Sequence, residues 1–128
     1  MTAGACVLIA EDNAKNMKLV RDLLEAKGYR TLEATTGERA VELANEHLPD
    51  LILMDVQLPG IDGIDALGRL RNNNRTASIP VLAVTAQAMQ GDRERFLDAG
   101  FDDYISKPID IVDFVSVVQR YCDPRVDE

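Results

Sequence analysis

Short apolar segments alternate with longer segments of helical period along the chain, five times over. An apolar segment of this length, bounded by turn or polar residues, is typical of a strand that is buried on both faces of a sheet. The five segments are residues 7–10, 31–34, 51–54, 81–84 and 104–105, of which the second is weakly apolar and the fifth is short. This pattern predicts five strands.

The intervening segments repeat apolar residues at the three- and four-residue spacing of amphipathic helices. These apolar residues are, in chain order, Met17, Val20, Leu23 and Leu24; Ala40, Val41 and Ala44; Ile64, Leu67 and Leu70; Phe96 and Leu97; and Ile111, Phe114, Val115 and Val118. We therefore predict five helices, one after each strand.

Several helix ends carry their own signals. Thr35, followed three residues later by Glu38, resembles a capping box that opens the second helix. Asp110 is the expected N-cap of the fifth helix, and Gly28 and Gly100 are expected to end the first and the fourth. The third helix is expected to end in the asparagines of residues 72–74.

Strands that alternate strictly with helices form a parallel sheet joined by right-handed crossovers, with helices on both of its faces. The chain has 128 residues and a mass of 14.1 kDa, with 46% apolar and 28% charged residues. This composition is that of one soluble globular domain and excludes disordered and collagen-like chains. We predict a single α/β domain of the doubly wound type, followed by a short polar tail.

The chain is strongly acidic, with 22 Asp and Glu residues against 14 Lys and Arg residues and a net charge of −8. An acidic surface repels nucleic-acid phosphates and anionic membranes, so neither DNA nor a membrane is an expected direct partner. The first apolar segment has no basic residue ahead of it, which excludes a signal peptide. Cys6 and Cys122 show no disulfide or zinc pattern, and we expect a reducing, cytoplasmic location.

Chemically active residues follow four of the five predicted strands. Glu11 and Asp12 come after the first strand, Asp55 after the third, Thr85 after the fourth and Lys107 after the fifth. Ligands of such sheets bind beyond the carboxyl ends of the strands. The sequence therefore predicts a functional site at that edge, although any one of these acidic residues taken alone would be read as a solvated loop residue.

Three carboxylates gathered at one edge repel one another, by about 4 kcal/mol per pair at about 4 Å and an effective dielectric constant near 20. A proton or a cation must relieve this repulsion. Oxygen ligands without Cys or His favour a hard cation, and a site that leaves positions for water and phosphate suits Mg²⁺. We therefore predict Mg²⁺ as the cofactor.

The residues Glu11-Asp12, Asp55, Thr85 and Lys107-Pro108, in this order on five strand–helix units, resemble the receiver domain of two-component response regulators. The resemblance covers about residues 5–121 and leaves 122–128 as the tail. Within this family, the chain is more similar still to hybrid-kinase receivers and to single-domain, DivK-like regulators. The segments that carry this likeness are EDN at 11–13, MDVQLPG at 54–60, AMQGD at 88–92 and YISKPI at 104–109.

The resemblance implies a flavodoxin-like (βα)5 fold with strand order 2-1-3-4-5, and it implies roles for individual residues. Asp55 would accept a phosphoryl group, Asp12 and Asp55 would ligate Mg²⁺ directly, Glu11 would act through water, the backbone carbonyl of Gln57 would be a further ligand, and Lys107 and Thr85 would contact the phosphoryl oxygens. The Lys107-Pro108 peptide bond would be cis, and Thr85 and Tyr104 would act as a switch.

The implied function is that of a single-domain response regulator in a phosphorelay. A histidine kinase or a histidine phosphotransfer protein would donate the phosphoryl group, and the chain would assist its own phosphorylation and dephosphorylation without being an enzyme. A downstream protein would bind the face formed by the fourth helix, the fifth strand and the fifth helix. From Met1 and the polar tail we expect a complete protein rather than one domain of a hybrid kinase.

Two other functions are less compatible with the residues. An aspartate-nucleophile phosphohydrolase typically has a second acid two residues after the nucleophile, whereas this chain has Gln57, whose amide cannot protonate a leaving group. A flavodoxin-like electron carrier needs a Ser-, Thr- or Gly-rich phosphate loop after the first strand, and the residues Glu11-Asp12-Asn13 do not provide one. His47, the one histidine of the chain, is expected to be a solvated loop residue.

Overall fold

A computed structural model of the chain describes residues 5–86 and 92–122. Ten elements alternate within them: β1 (Cys6–Ala10), α1 (Ala14–Ala26), β2 (Arg30–Ala34), α2 (Gly37–His47), β3 (Leu51–Asp55), α3 (Gly63–Arg71), β4 (Val81–Thr85), α4 (Asp92–Ala99), β5 (Asp103–Ser106) and α5 (Ile111–Cys122). Most of the AMQGD segment and the tail from residue 123 onward lie outside the described residues. No helix within these ranges is long and apolar enough to cross a bilayer.

All five strands are parallel and lie in the order β2-β1-β3-β4-β5. The predicted doubly wound fold and its strand order are confirmed. Burial on both faces holds for β1, β3 and β4, which are buried throughout. It does not hold for β2 and β5, because these are the edge strands of the sheet and each lacks a neighbour on one side.

The apolar core lies in two layers, one on each face of the sheet. One layer joins the sheet to α2, α3 and α4, and it contains Ile52 and Met54 of β3. The other joins the sheet to α1 and α5, and it contains Leu51 and Leu53 of the same strand. Successive residues of a strand point to opposite faces, so the continuous apolar strands supply both layers at once.

Three residues of the predicted helical stripes are exposed rather than in the core: Ile64 at 37%, Leu97 at 39% and Ile111 at 52%. Ile64 and Ile111 lie in the first turn of their helices, at the end where the chain has just left the sheet. In these two helices the first buried apolar side chains are those of Ala66 and Phe114.

The predicted helix ends are confirmed except at α2. Gly28 and Gly100 have φ angles of 91° and 115°, as expected of glycines that follow helices. Asp110 Oδ1 accepts the Asp113 N–H at 3.1 Å. The N-cap of α2, however, is Thr36 and not Thr35, because the Thr36 hydroxyl accepts the Arg39 N–H.

The first residue of α3 leaves no room for a side chain. A Cβ at Gly63 would lie 2.6 Å from the backbone carbonyl oxygen of Asp55 and 2.8 Å from Val56 Cα. Gly68, in the same helix, has nothing within 4 Å of such a Cβ. The two glycines therefore separate the effect of packing from the effect of helix propensity.

We predict opposite effects of alanine at these two positions. Gly63→Ala must displace backbone and should lower the free energy of unfolding by about 2–4 kcal/mol. Gly68→Ala should raise it by about 0.5–1 kcal/mol, since alanine is the better helix former. Urea unfolding of both variants measures the difference. Equal changes in the two variants would contradict the close approach of α3 to Asp55.

Candidate functional site

The carboxyl ends of four neighbouring strands bring the predicted site residues to one edge of the sheet. Glu11 directly follows β1, and Asp55 and Thr85 end β3 and β4. Lys107 directly follows β5, and its N–H donates to the Thr85 carbonyl oxygen at 2.8 Å. The main chain itself therefore holds Lys107 beside the end of β4.

The Lys107 ammonium group lies between two carboxylates. Lys107 Nζ is 2.8 Å from Glu11 Oε1 and 2.9 Å from Asp55 Oδ2. Glu11 is 4% exposed and Asp55 is 5% exposed. Buried charges require partners, and in this site one cation serves two anions.

The second oxygen of each carboxylate accepts a backbone N–H from two residues further along the chain. Asn13 N–H donates to Glu11 Oε2 at 3.1 Å, and Gln57 N–H donates to Asp55 Oδ1 at 2.9 Å. Each carboxylate thus has one oxygen held by its own loop and one oxygen turned toward Lys107. This arrangement fixes the orientation of both side chains.

Burial and ion pairing act on these groups in opposite directions. Burial raises the pKa of Glu11 above its ordinary value, and the hydrogen bond from Lys107 reduces this rise without cancelling it. Burial alone would lower the pKa of Lys107, but its hydrogen bonds to Glu11 and Asp55 outweigh burial and raise it. The Lys107 side chain is therefore an ammonium ion at neutral pH.

Asp12 adds a third carboxylate to this edge. Oxygen atoms of Glu11, Asp12 and Asp55 all lie within 4.8 Å of one another, and Asp12 is exposed to solvent. Lys107 compensates only part of this negative charge. A purely oxygen donor set with excess negative charge and one solvent-facing member fits a hard divalent cation such as Mg²⁺.

The remaining predicted residues lie around this centre. Thr85 is buried, and the Lys107–Pro108 peptide bond is cis. Tyr104 is half-buried, and its ring centroid lies 6.4 Å from that of Phe96 in α4. His47 lies apart and is half exposed, but it is the last residue of α2 rather than a loop residue, with Nε2 3.7 Å from Glu46 Oε2.

One residue in the site was not assigned a role from the sequence. Asn13 donates its N–H to Glu11, and its side-chain oxygen accepts the N–H groups of Lys15 and Asn16 at 3.0 and 3.1 Å. It therefore caps α1 and orients Glu11 at the same time. An asparagine between a strand and a helix is a known N-cap signal, which would have identified the first role but not the second.

The family model described as "Response regulator receiver domain" matches residues 7–119. The chain belongs to this family. The receiver domain is a signalling module of two-component systems rather than an enzyme of the ordinary kind.

Close relatives of this receiver domain are single-domain regulators. It is 50% identical over 115 residues to the polar-differentiation response regulator DivK of Brucella anthropi. The aligned residues cover 90% of this chain and 94% of that protein. The DivK protein of Brucella ovis gives the same values.

Solved structures give the same assignment. The receiver domain of the sensor histidine kinase PA1611 from Pseudomonas aeruginosa has a TM-score of 0.86 and 38% identity, covering 94% of this chain and 98% of that one. Its crystal structure has a magnesium ion coordinated in the active-site cleft. The receiver domain of a histidine kinase from Syntrophus aciditrophicus has a TM-score of 0.85 and 32% identity, covering 94% and 92%. The resemblance predicted from the motifs is confirmed.

The buried charges predict a stability effect. Lys107→Met removes the cation that lies between Glu11 and Asp55, and it should lower the free energy of unfolding by about 2–4 kcal/mol in metal-free buffer. Lys18→Met provides the control, because Lys18 forms an exposed pair with Asp22 at 2.6 Å and such pairs contribute little. Urea unfolding in the presence of a chelator measures both. A Lys107 variant as stable as the Lys18 variant would contradict the role given to this ammonium group.

Proposed function

We propose that the chain is a response regulator that accepts a phosphoryl group on Asp55 from a phosphohistidine, in a Mg²⁺-dependent reaction. A histidine kinase or a histidine phosphotransfer protein donates the phosphoryl group. The receiver domain spans residues 5–121. The observation that carries the proposal is the arrangement of Asp55. Its carboxylate is buried, one of its oxygens is held by Gln57, and the other is turned toward Lys107 at the carboxyl edge of the sheet.

In this reaction a carboxylate oxygen of Asp55 attacks the phosphorus atom. The O–P bond forms as the P–N bond to the histidine breaks, and the imidazole leaves with the electron pair. A carboxylate is a weak nucleophile, so the site must neutralise the phosphoryl oxygens. Lys107 contributes its ammonium group to this task, and Thr85 contributes its hydroxyl.

The metal would be held by this chain's own acidic residues. Asp12 and Asp55 are the direct ligands, Glu11 acts through water, and the Gln57 backbone carbonyl completes the protein's share. When bound, Mg²⁺ supplies further positive charge against the phosphoryl oxygens. The acidic cluster supports this assignment, as does the magnesium ion in the cleft of the 38% identical receiver domain of PA1611.

Phosphorylation would be reported to a partner through Thr85 and Tyr104. A phosphoryl group draws the Thr85 hydroxyl toward it, and Tyr104 then rotates toward the space that Thr85 leaves. Tyr104 lies in β5 and packs against Phe96 of α4, so the rotation alters the face formed by α4, β5 and α5. A downstream protein binds this face, where the side chain of Val112 is 77% exposed.

The proposal also covers the location and the partners of the chain. The acidic chain acts in the cytoplasm through contacts with proteins, without binding DNA or membranes directly. It assists its own phosphorylation and dephosphorylation through Lys107, Thr85 and the proposed Mg²⁺ ligands.

The phosphoacceptor is tested by labelling with a small-molecule phosphodonor. With Mg²⁺ present, the wild type should gain one acid-stable, base-labile phosphoryl group, and Asp55→Asn should gain none because it lacks the nucleophilic carboxylate. Asp65→Asn, an exposed aspartate in the first turn of α3, is the control and should be labelled like the wild type. Intact mass spectrometry measures the gain. Labelling of Asp55→Asn to the wild-type extent would remove the basis of the proposal.

The switch is tested with Thr85→Ala. This variant should accept the phosphoryl group on Asp55 but lose the gain in partner affinity, which we expect to be about five- to a hundredfold in the wild type. Partner affinity is measured with and without beryllofluoride, a phosphoryl mimic. An equal gain in both proteins would mean that the signal leaves the site by another route.

A further inference from the structure

The loop between β3 and α3, residues 56–62, carries Gln57 and joins Asp55 to α3. Both of its ends are fixed within the described structure. At its start, the Val56 N–H donates to the Val84 carbonyl oxygen at 3.1 Å, and the Val56 carbonyl oxygen accepts the Gly63 N–H at 3.0 Å. At its end, Asp62 is the N-cap of α3. Its middle part contacts another element, α2.

That support comes from the first turn of α2. Gly37 lies so close to Ile61 that a Cβ there would be 2.5 Å from the Ile61 carbonyl oxygen and 2.6 Å from its Cγ1. The next residue, Glu38, accepts the Ile61 N–H on Oε1 at 3.3 Å. Two successive residues of α2 thus contact the side chain, the carbonyl group and the N–H group of Ile61.

Gly60 shows how closely the Glu38 carboxylate approaches the loop. Gly60 has a φ angle of 79°, in the left-handed region that favours glycine. A Cβ at this position would clash with both carboxylate oxygens of Glu38. The side chain of Glu38 therefore lies directly against the loop backbone, although the local sequence suggested that it would cap its own helix.

We propose that Glu38 is a positioning residue for the metal site, acting through the 56–62 loop. Its carboxylate holds the Ile61 N–H and so limits the positions open to the loop that presents Gln57. The Gln57 N–H in turn orients Asp55 Oδ1. The inference rests on the proposed function, because it takes the Gln57 carbonyl and Asp55 as Mg²⁺ ligands.

The test compares Mg²⁺ affinity, measured by calorimetric titration of the full chain with MgCl₂, in the wild type, Glu38→Ala and Glu38→Gln. Glu38→Ala should weaken Mg²⁺ binding by about three- to tenfold, the effect of losing one hydrogen bond that orients the ligand loop. Glu38→Gln keeps an acceptor oxygen and should restore the affinity to within about twofold of the wild type. Amide hydrogen exchange in metal-free buffer should show faster exchange of Ile61 N–H in Glu38→Ala only.

Glu42→Ala is the matched control. Glu42 is an exposed acidic residue of the same helix, 3.8 Å from Arg39, and its removal changes the net charge by the same amount. It should leave Mg²⁺ affinity within about twofold of the wild type, since charges that are exposed and screened act weakly on a distant cation. Asp12→Ala removes a proposed direct ligand, and its titration shows how far the Mg²⁺ affinity falls when the metal site itself is lost.

Three results would overturn the inference: wild-type affinity in Glu38→Ala, equal losses in Glu38→Ala and Glu38→Gln, or an equal loss in Glu42→Ala. The first would mean that the loop needs no support from α2, and the others that charge rather than the hydrogen bond is responsible. A wild type that binds no Mg²⁺ would instead contradict the proposed function. The two failures are therefore distinguishable.

Discussion

A single ammonium group between two buried carboxylates is the interaction on which the site depends. Lys107 contacts Glu11 and Asp55 at 2.8 and 2.9 Å, and both acids are almost fully removed from water. Without this cation two buried negative charges would face each other, and the fold would have to protonate one of them or admit solvent. The geometry of the whole sheet edge serves to bring these three side chains together.

The parallel sheet makes this meeting possible. The three side chains come from the ends of three strands, β1, β3 and β5, and β4 lies between the last two. The Lys107 N–H donates a hydrogen bond to the Thr85 carbonyl oxygen at the end of β4. The main chain thus fixes the position of Lys107, and the side chain reaches from there to Asp55. The main chain therefore positions these side chains, and the exposed Asp12 lies on the solvent side of the site.

The sequence predicts most of the fold because its strongest signals are local. Apolar strands, helical stripes and caps such as Asp110 each depend on a few neighbouring residues. The burial of a stripe residue is less predictable, since Ile111 fits the apolar period as well as Phe114 does, and only the position of the strands decides between them. In β3, where every residue before Asp55 is apolar, no pattern indicates which residues face which helices.

The site was predictable in its members but not in its contacts. The strand-end argument brings Glu11, Asp55 and Lys107 to one edge, yet it does not say that the lysine would bridge the two acids. Glu38 marks the clearest limit of local reasoning. Its spacing from Thr35 predicts a capping box, whereas its actual partner is Ile61, 23 residues away. A tertiary contact of this kind leaves no trace in the residues around either partner.

Strand β5 also divides its two central residues between the two sides of the domain. Tyr104 packs with the layer formed by α2, α3 and α4, and Ile105 packs with the layer formed by α1 and α5. A change in the packing of Tyr104 therefore acts directly on α4, through Phe96, on the face of the sheet opposite to Ile105. Strand β5 thus connects the edge that carries the site to both layers of the core, and the alternation of its side chains decides which layer each residue acts on.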